Sequence, residues 1–411
     1  MGKGNRLTFF IIISMILGIA VGYFIHRGSS PEFIKSFSTN IKLLSTIFIR
    51  LVQMIIAPLV FSTVVVGIAK LGDLKAVGRV GGKAILWFVT ASLLSLLLGM
   101  VLVNYFRPGE YIDLSQADTE GVKDLMTKTQ SFSIQNFVEH VIPRSFIEAM
   151  ATNEILQLVV FSVFFGVATA AIGDFAKPLV KALEVVSHVI LKMVGYVMNF
   201  APLGVFGAIS AVVAAKGLSI FQFYLVYFAY FLLGIALLWM LLLGVGFLIL
   251  KGRMKELLRR ISNPLLIAFS TTSSEAVFPK LTEELERFGC KDRIVSFVLP
   301  LGYSFNLDGS MMYMTFASLA IAQAYGIDLS LTTQLTMLLV LMLTSKGIAG
   351  VPRASLVVVL ATCAMFNIPP EGVALILPID HFCDMFRSMT NVVGNALATS
   401  VVSKWEGELE S

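Results

Sequence analysis

Long apolar segments recur along this chain, and they constrain its fold more than any other feature. Six runs, each close to or above the ~20 residues that a helix needs to cross a bilayer, lie at about residues 7–25, 44–69, 84–106, 155–172, 184–209 and 221–250. Of the 411 residues, 57% are hydrophobic and 14% are charged, which is unlike a soluble domain. The first run lacks a small-residue cleavage site, so we expect a retained helix rather than a signal peptide. The sequence predicts an all-α integral membrane protein.

Basic residues are distributed unevenly between the connecting segments. Lysine and arginine cluster near the N-terminus and around residues 75 and 255, whereas residues 107–128 are acidic on balance. The positive-inside rule therefore places the N-terminus and both basic loops in the cytoplasm, and the loop near residue 115 outside. The basic clusters indicate membrane topology, and we expect no nucleic-acid partner.

After Lys251 the apolar segments become too short to span a bilayer. Residues 257–269 and 331–344 are each followed by a Ser/Gly-rich turn and a second short helix. Irregular backbone at membrane depth persists only where protein buries it or water reaches it. We therefore interpret both segments as re-entrant hairpins that enter and leave by the same side.

Each hairpin precedes a long helix with an acidic residue near its middle. Asp308 follows Pro279 by 29 residues, and Asp380 follows Pro352 by 28 residues. If the two hairpins open to opposite sides, this duplicated plan is an inverted-topology repeat. Secondary transporters with such repeats place their binding site at the membrane midplane.

The last long helix carries a polar stripe on an otherwise apolar surface. Six side chains fall within an arc of roughly 100°: Asp380, Asp384, Arg387, Ser388, Asn391 and Asn395. Ionisable groups at membrane depth cost at least ~2.5 kcal/mol each, so they face a partner or a watery cavity. The stripe predicts a site for a small charged solute, with a structural ion-pair latch as the alternative.

The other long helix contains its own predicted break. Asn-Leu-Asp-Gly at residues 306–309 is poor helix sequence, and unwinding there would free backbone carbonyls beside Asp308. Oxygen-rich, flexible clusters of this kind suit small cations; a purely structural kink is the alternative. The half-helices that follow Ser274 and Pro352 direct helix N-termini at the midplane, which favours an anion.

Several short motifs accompany the hairpin tips and the broken helix. They are Pro-Leu-Val-Phe at 58–61, Val-Gly-Ile-Ala at 66–69, Asn-Glu-Ile-Leu-Gln at 153–157, Pro-Leu-Gly-Val-Phe at 202–206 and Asp-Met-Phe-Arg-Ser at 384–388. With these motifs the chain resembles the dicarboxylate/amino acid:cation symporters over essentially all of its length, in particular the bacterial proton/glutamate branch.

The resemblance implies an elevator-type glutamate transporter fold with eight transmembrane helices and two re-entrant hairpins with inverted repeats. It implies a homotrimer in the bacterial inner membrane, with both termini in the cytoplasm. A scaffold domain would comprise residues 1–72 and 107–214. A transport domain would comprise residues 73–106 and 215–411, with hairpins at about 255–289 and 331–369.

The resemblance also implies roles for individual residues. Arg387 would pair with the side-chain carboxylate of an acidic amino acid, and Asp384 would take its α-ammonium. The rest of the implied pocket is Ser388, Asn391, Ser310, Ser273, Ser274, Gly350 and Val351. The implied cation positions are Asp308, Asn306, Gly302, Asn391, Asn395 and Ser92. The resemblance implies a coupling cation but no catalytic residue, resident metal or cofactor.

Departures from the family pattern bear on the coupling ion. Asn395 stands where sodium-coupled archaeal members have Asp, and Ala91 replaces a hydroxyl residue beside Ser92. Met314 stands where some members carry a protonatable Glu, and Lys346 places an ammonium near a further sodium position. Because lost oxygen ligands weaken binding of a hard cation, we expect protons to drive transport, with sodium as the alternative.

Glu275 at the first hairpin tip offers a compensating proton carrier. Burial of a carboxylate at membrane depth favours its protonated form. The alternative is a capping or solvent-facing acid in a loop. Asp308 is the second candidate, but it is more simply explained as part of the broken helix.

Other function classes fit the sequence less well. Asp380, His381 and Cys383 resemble a metal or hydrolase site, but the latter two point roughly 100° and 300° away from Asp380. A channel would need a continuous polar path, whereas closed hairpin tips imply occlusion. A C4-dicarboxylate is the alternative substrate; Asp384 disfavours it, because a carboxylate facing the cavity repels a dicarboxylate and pairs with an ammonium.

Overall fold

The computed structural model describes residues 3–71, 74–112, 141–218, 224–345 and 354–410. Within these ranges the chain forms fifteen α-helices and, apart from one isolated bridge, no β-structure. The helices are α1 Lys3–Gly28, α2 Pro31–Leu71, α3 Leu74–Phe106, α4 Phe146–Thr152, α5 Ile155–Ile172, α6 Lys177–Val197, α7 Ala201–Lys216, α8 Leu225–Leu250, α9 Met254–Thr271, α10 Phe278–Arg287, α11 Asp292–Phe305, α12 Asp308–Ala324, α13 Leu331–Thr344, α14 Ala354–Met365 and α15 Val373–Trp405. The predicted all-α class is confirmed.

Five helical segments of the described chain are long and apolar enough to cross a membrane. They are Phe9–Gly28, Pro31–Ala69, Lys75–Phe106, Ile155–Lys216 and Leu225–Thr271. These segments contain the cores of all six predicted apolar runs. The segments number five rather than six because the runs at 155–172 and 184–209 lie in the same segment. A 3₁₀ turn at Met198–Phe200 divides the second of these runs into α6 and α7. Pro202 in the first turn of α7 accounts for this break, since proline lacks the N–H that a continuous helix requires.

The helices pack in two groups. In the first group α1, α5 and α6 surround the contact between α2 and α7. In the second group α12 and α15 pack against each other, and α3, α8 to α11, α13 and α14 pack around them. The two groups meet where α11 packs against α2 and where α9 packs against α1 and α7.

The first predicted hairpin is present, with a longer tip than expected. Its first arm, α9, ends at Thr271, and the next residue, Thr272, has the left-handed conformation with φ of 53°. The second arm was predicted to start after Ser274, but a 3₁₀ turn at Glu275–Val277 precedes it and α10 begins at Phe278. Pro279 in the first turn of α10 fits this start, because its missing N–H is not needed there.

The second hairpin consists of α13 and α14, whose bounds agree with the predicted short helices. Its tip, which includes Lys346, Gly350 and Val351, lies outside the described residues. Both arms pack against α12, which places the second hairpin beside the broken helix.

The predicted break between the two halves of the first long helix is confirmed. Helix α11 ends at Phe305 and α12 begins at Asp308, while Asn306 and Leu307 have ψ near 60°. Helix α15 runs past this break and contacts α9, α11 and α12. The polar stripe of α15 faces the break and the first turns of α12, which its side chains contact.

Candidate substrate and cation site

A buried ion pair forms the centre of the polar stripe on α15. Arg387 Nη2 and Nε lie 2.7 Å and 3.0 Å from Asp384 Oδ1. Ser388 donates its hydroxyl to the same oxygen at 3.3 Å. Because the three residues are spaced by three and four positions, one helix face brings them together. The Asp384 side chain is 18% exposed and that of Arg387 4%, so the carboxylate lies nearer the open side of the pair.

Helix α12 supplies a second support for the guanidinium. Arg387 lies over the ring of Tyr313 at 4.5 Å, and the Tyr313 hydroxyl donates to Asp380 Oδ1 at 2.7 Å. The same carboxylate oxygen is 3.7 Å from Arg387 Nη1. Nη1 has no hydrogen-bond acceptor among the described residues. A buried charged donor without an acceptor is costly, so this N–H suits the carboxylate of a ligand.

The sequence interpretation missed Tyr313, and it included Asp380 in the polar stripe without assigning it a partner. The tyrosine lies in the apolar run of α12, where its side chain is fully buried. A buried tyrosine hydroxyl needs a polar partner. That requirement was the only signal in the sequence that pointed to Tyr313, and it could not identify Asp380 as the partner.

A reciprocal amide–serine pair joins α12 to α15. The backbone N–H of Ser310 donates to Asn391 Oδ1 at 3.2 Å, and Asn391 Nδ2 donates to Ser310 Oγ at 3.1 Å. Gly309 permits this approach, because a Cβ there would lie 2.4 Å from the carbonyl oxygen of Arg387. The structure therefore brings the predicted substrate residues Ser310, Ser388 and Asn391 together with Arg387.

The predicted cation residues gather at the break between α11 and α12. Asn306, Asp308 and Asn395 are fully buried, and Asn306 Nδ2 donates to Asp308 Oδ2 at 3.1 Å. Asn306 Oδ1 has no hydrogen-bond donor among the described residues. Ser92 on α3 donates to the carbonyl oxygen of Phe305 at 3.4 Å.

At two of the departures from the family pattern, an apolar side chain lies among other apolar side chains. Ala91 and Met314 are 4% and 2% exposed, and both belong to the hydrophobic core. Neither side chain offers a hard oxygen ligand.

The first arm of the first hairpin packs against the helix that carries the ion pair. Phe269 on α9 packs edge-on against Phe386 on α15, with ring centroids 5.0 Å apart. Ser273, Ser274 and Glu275 are half-buried in the tip that follows. Ser273 accepts a hydrogen bond from the backbone N–H of Ala276 at 3.2 Å, so its hydroxyl also caps the 3₁₀ turn.

Comparison with known proteins identifies the family of this chain. The profile of the sodium:dicarboxylate symporter family matches residues 7–405. The chain belongs to this family. It is therefore a symporter, an all-α multi-pass membrane protein of the glutamate transporter fold, and not an enzyme. The membrane-enzyme alternative is excluded.

Relatives of this symporter carry two kinds of name. The chain is 42% identical to a C4-dicarboxylate transport protein of Laribacter hongkongensis, over 99% of the chain and 91% of that protein. It is 41% identical to a C4-dicarboxylate transport protein of Rhodospirillum rubrum, over 97% of the chain and 88% of that protein. It is 38% identical to a proton/sodium-glutamate symport protein of Bacillus caldotenax, over 98% of the chain and 95% of that protein. The names leave the substrate to be argued from the site.

Proposed function

We propose that this symporter imports glutamate or aspartate together with protons across the bacterial plasma membrane. The observation that carries the substrate proposal is the Asp384 carboxylate paired with Arg387 in a buried site. An acidic amino acid offers a carboxylate to Arg387 and an ammonium to Asp384. Binding would replace one internal ion pair by two pairs with the ligand.

The local charge supports the same choice. Asp380 and Asp384 face a single guanidinium, that of Arg387, within 4 Å. A dicarboxylate that took Arg387 would leave Asp384 beside a second carboxylate, and a buried unpaired charge is strongly unfavourable. A ligand that carries an ammonium relieves this repulsion. We therefore expect Asp384 to favour amino acids over dicarboxylates in two ways, by attracting the ammonium of the first and by repelling the second carboxylate of the other.

A C4-dicarboxylate such as succinate or malate is the second candidate. The names of the Laribacter hongkongensis and Rhodospirillum rubrum relatives favour it. Arg387 would serve one carboxylate of such a substrate as well as it serves that of glutamate. The two candidates therefore differ at Asp384.

Uptake by the purified protein in liposomes tests the substrate. We expect labelled glutamate to be taken up, aspartate to compete and succinate to compete poorly. Asp384→Asn should lower glutamate uptake at least about tenfold, the loss of one strong ionic contact, and should improve competition by succinate. Asp174→Asn, which changes an exposed aspartate outside the site, is the matched control. Equal competition by succinate and aspartate in the wild type would refute the proposal.

Proton coupling rests on the replaced oxygen ligands. Ala91 and Met314 are apolar and buried, and Asn395 has no charge to attract a hard cation. Glu275 is the proposed proton carrier. Asp308 is less suited to that role, because it accepts a hydrogen bond from Asn306 inside the break.

A pH gradient in strictly sodium-free buffer tests the coupling ion. We expect an inwardly directed proton gradient to drive glutamate uptake, and Glu275→Gln to flatten the pH dependence. Glu284→Gln, which removes a carboxylate from α10 in the second arm of the same hairpin, is the control. Uptake that requires sodium and ignores the pH gradient would refute proton coupling, and an unaltered pH dependence in Glu275→Gln would exclude Glu275 alone.

The two groups of helices support the further proposal of a scaffold and a transport domain. Among the described residues, the helices of the proposed scaffold domain, residues 1–72 and 107–214, form the first packing group, and those of the proposed transport domain, residues 73–106 and 215–411, form the second. The 3₁₀ turn Pro108–Tyr111 departs from this division, because it packs against α8 and α12 of the second group. The hydrogen bonds of the site all lie within the second group. We propose that this group moves as one body in a homotrimer with cytoplasmic termini, and native mass spectrometry of the purified protein would measure the trimer.

A further inference from the structure

The side-chain amide of Asn395 contacts the released backbone of the break. Amide oxygen and nitrogen are assigned from their hydrogen-bond partners. In one orientation Asn395 Oδ1 accepts, among the described residues, only the Asn306 Nδ2 N–H, at 3.4 Å. In the other, which serves two acceptors, the Asn395 nitrogen donates to the carbonyl oxygens of Gly302 and Asn306, each at 3.2 Å. The Gly302 carbonyl also accepts the backbone N–H of Asn306 at 2.8 Å, whereas the Asn306 carbonyl has lost its helical partner. The contact is direct, because a Cβ on Gly302 would lie 2.5 Å from the nearest amide atom of Asn395.

The carbonyl of Asn306 needs such a donor because of how α12 begins. In a continuous helix this carbonyl would accept from the N–H four residues later, that of Ser310. The Ser310 N–H instead donates to Asn391 Oδ1 at 3.2 Å. The break therefore releases the Asn306 carbonyl at a fully buried position, where an unpaired acceptor is costly.

Two carbonyls that converge on one point are the usual ligands of a small hard cation. Here the point of convergence holds an NH₂ group, whose two N–H bonds provide one donor for each carbonyl. An amide in this place does what a cation would do for the backbone, but without a positive charge. An ion and the amide nitrogen cannot both occupy it.

We propose that the amide nitrogen of Asn395 takes the place of a cation between the carbonyls of Gly302 and Asn306. The symporter then binds no sodium ion at this point, and Asn395 acts as a residue that determines ion specificity. The inference deepens the proposed function, since it rests on the break lying on the coupling path. It assigns Asn395 the opposite role to the cation ligand that the family resemblance implied.

Asn395→Asp converts the donor into an acceptor and tests the proposal. The carboxylate would converge with both carbonyls on one point and create an oxygen-lined site for Na⁺. Thermal unfolding of the purified full-length protein is measured without substrate, in NaCl and in choline chloride of equal ionic strength. We expect the wild type to unfold at the same temperature in both salts, and the variant to be stabilised by Na⁺ in a saturable way.

Two further variants keep the test decisive. Asn199→Asp adds the same charge at an exposed position on the 3₁₀ turn before α7 and should behave as the wild type. Asn395→Ala removes the donor without adding charge, so sodium should stabilise it more than the wild type even if the Asp variant does not fold. Sodium stabilisation that is present in the wild type and lost in Asn395→Ala would overturn the proposal, as would indifference to sodium in both Asn395 variants.

The outcome is separable from that of the proposed function. Unfolding is measured without substrate and without a gradient, so it does not depend on which solute is carried. Sodium-dependent uptake by the wild type would refute proton coupling, and a new sodium response in Asn395→Asp would still support the role of Asn395. Proton-driven uptake by the wild type would support proton coupling, and the absence of a sodium response in both Asn395 variants would refute the role of Asn395.

Discussion

Arg387 is held by groups from two helices before any ligand arrives. Asp384 on its own helix takes two of its N–H groups, while the ring of Tyr313 covers one face of the guanidinium. The Tyr313 hydroxyl also ties down Asp380, the second carboxylate near Arg387. This preorganisation lowers the conformational entropy that binding must remove from a long side chain.

Removing the Tyr313 hydroxyl should weaken this support while leaving the ring in place. A hydrogen bond to a charged group contributes about 1.5–3 kcal/mol, so we expect Tyr313→Phe to raise the KM for glutamate by about tenfold or more. Tyr303→Phe is the matched control, because the buried Tyr303 hydroxyl has no hydrogen-bond partner in the described structure. Equal KM values for wild type and Tyr313→Phe would exclude a positioning role.

Loss of the guanidinium should change the substrate itself. In Arg387→Ala the ligand's side-chain carboxylate would be buried without a partner, which is strongly unfavourable. We expect glutamate uptake to fall to background and serine or alanine to become substrates, as measured with labelled amino acids. Arg259→Ala, at an exposed position on α9, should keep wild-type uptake. Full retention of glutamate transport by Arg387→Ala would remove this residue from the site.

At the level of elements, the packing of α15 against the break depends on one glycine. A Cβ on Gly394 would lie 1.9 Å from Asp308 Oδ2 and 3.0 Å from Asn306 Nδ2. Only a residue without a side chain lets the helix pass this close to the two buried polar groups. The contact joins the substrate stripe to the cation cluster, so both sites share one interface.

Gly394→Ala should therefore separate α15 from the break. Overpacking of this kind costs about 1–3 kcal/mol, and we expect a lower unfolding temperature together with loss of uptake. Gly244→Ala is the matched control, because nothing lies within 4 Å of a Cβ at that position of α8. There alanine should stabilise the helix by up to about 1 kcal/mol. Equal unfolding temperatures for both variants would contradict the packing argument.

At the level of the whole molecule, the C-terminal tail ties distant elements together by charge. Glu406 lies 2.9 Å from Arg79 and 2.7 Å from Lys83 on α3. Further along the tail, Glu408 pairs with Arg293 and Glu410 with Lys291, and the backbone forms a short bridge beside Cys290. The tail thus links α3 and α15 to the start of α11.

The ion pairs of Glu406 should make this link sensitive to pH. Burial raises the pKa of the Glu406 carboxyl, but the hydrogen bonds and charges of Arg79 and Lys83 outweigh it, so the pKa lies below its ordinary value. A lowered pKa contributes stability above the unfolded value of about 4.3, and this contribution is lost as the pH falls through the folded pKa.

We expect Glu406→Gln to lower the free energy of unfolding by about 1 kcal/mol at pH 7, the upper range for surface ion pairs, because its partners Arg79 and Lys83 are partly exposed to solvent. The difference from the wild type should shrink as the pH falls below the unfolded value of about 4.3, and it should disappear only below the lowered pKa of the folded Glu406 carboxyl. Thermal unfolding at neutral and at low pH measures this. Glu32→Gln, at the exposed start of α2, is the control. A difference that persists unchanged at low pH would contradict the ion-pair explanation.

The sequence by itself determined the elements of this protein. The length of apolar runs, the Ser/Gly-rich tips and the Asn-Leu-Asp-Gly run predicted the spanning helices, both hairpins and the break after Phe305. The sequence also placed Arg387 and Asp384 on one helix face, since residues three apart on a helix are neighbours; the ion pair between them was only the alternative interpretation of the stripe. These features are local, so the order of residues is enough to specify them.

Tertiary structure alone decided which polar groups meet across the helices. Tyr313 bonds Asp380 across 67 positions, and Ser310 bonds Asn391 across 81. The amide of Asn395 reaches the carbonyl of Gly302 and the carbonyl of Asn306, the second of which the break releases. Burial forces such groups to find partners, but the choice among many candidates depends on how α12 and α15 cross, which no local pattern records.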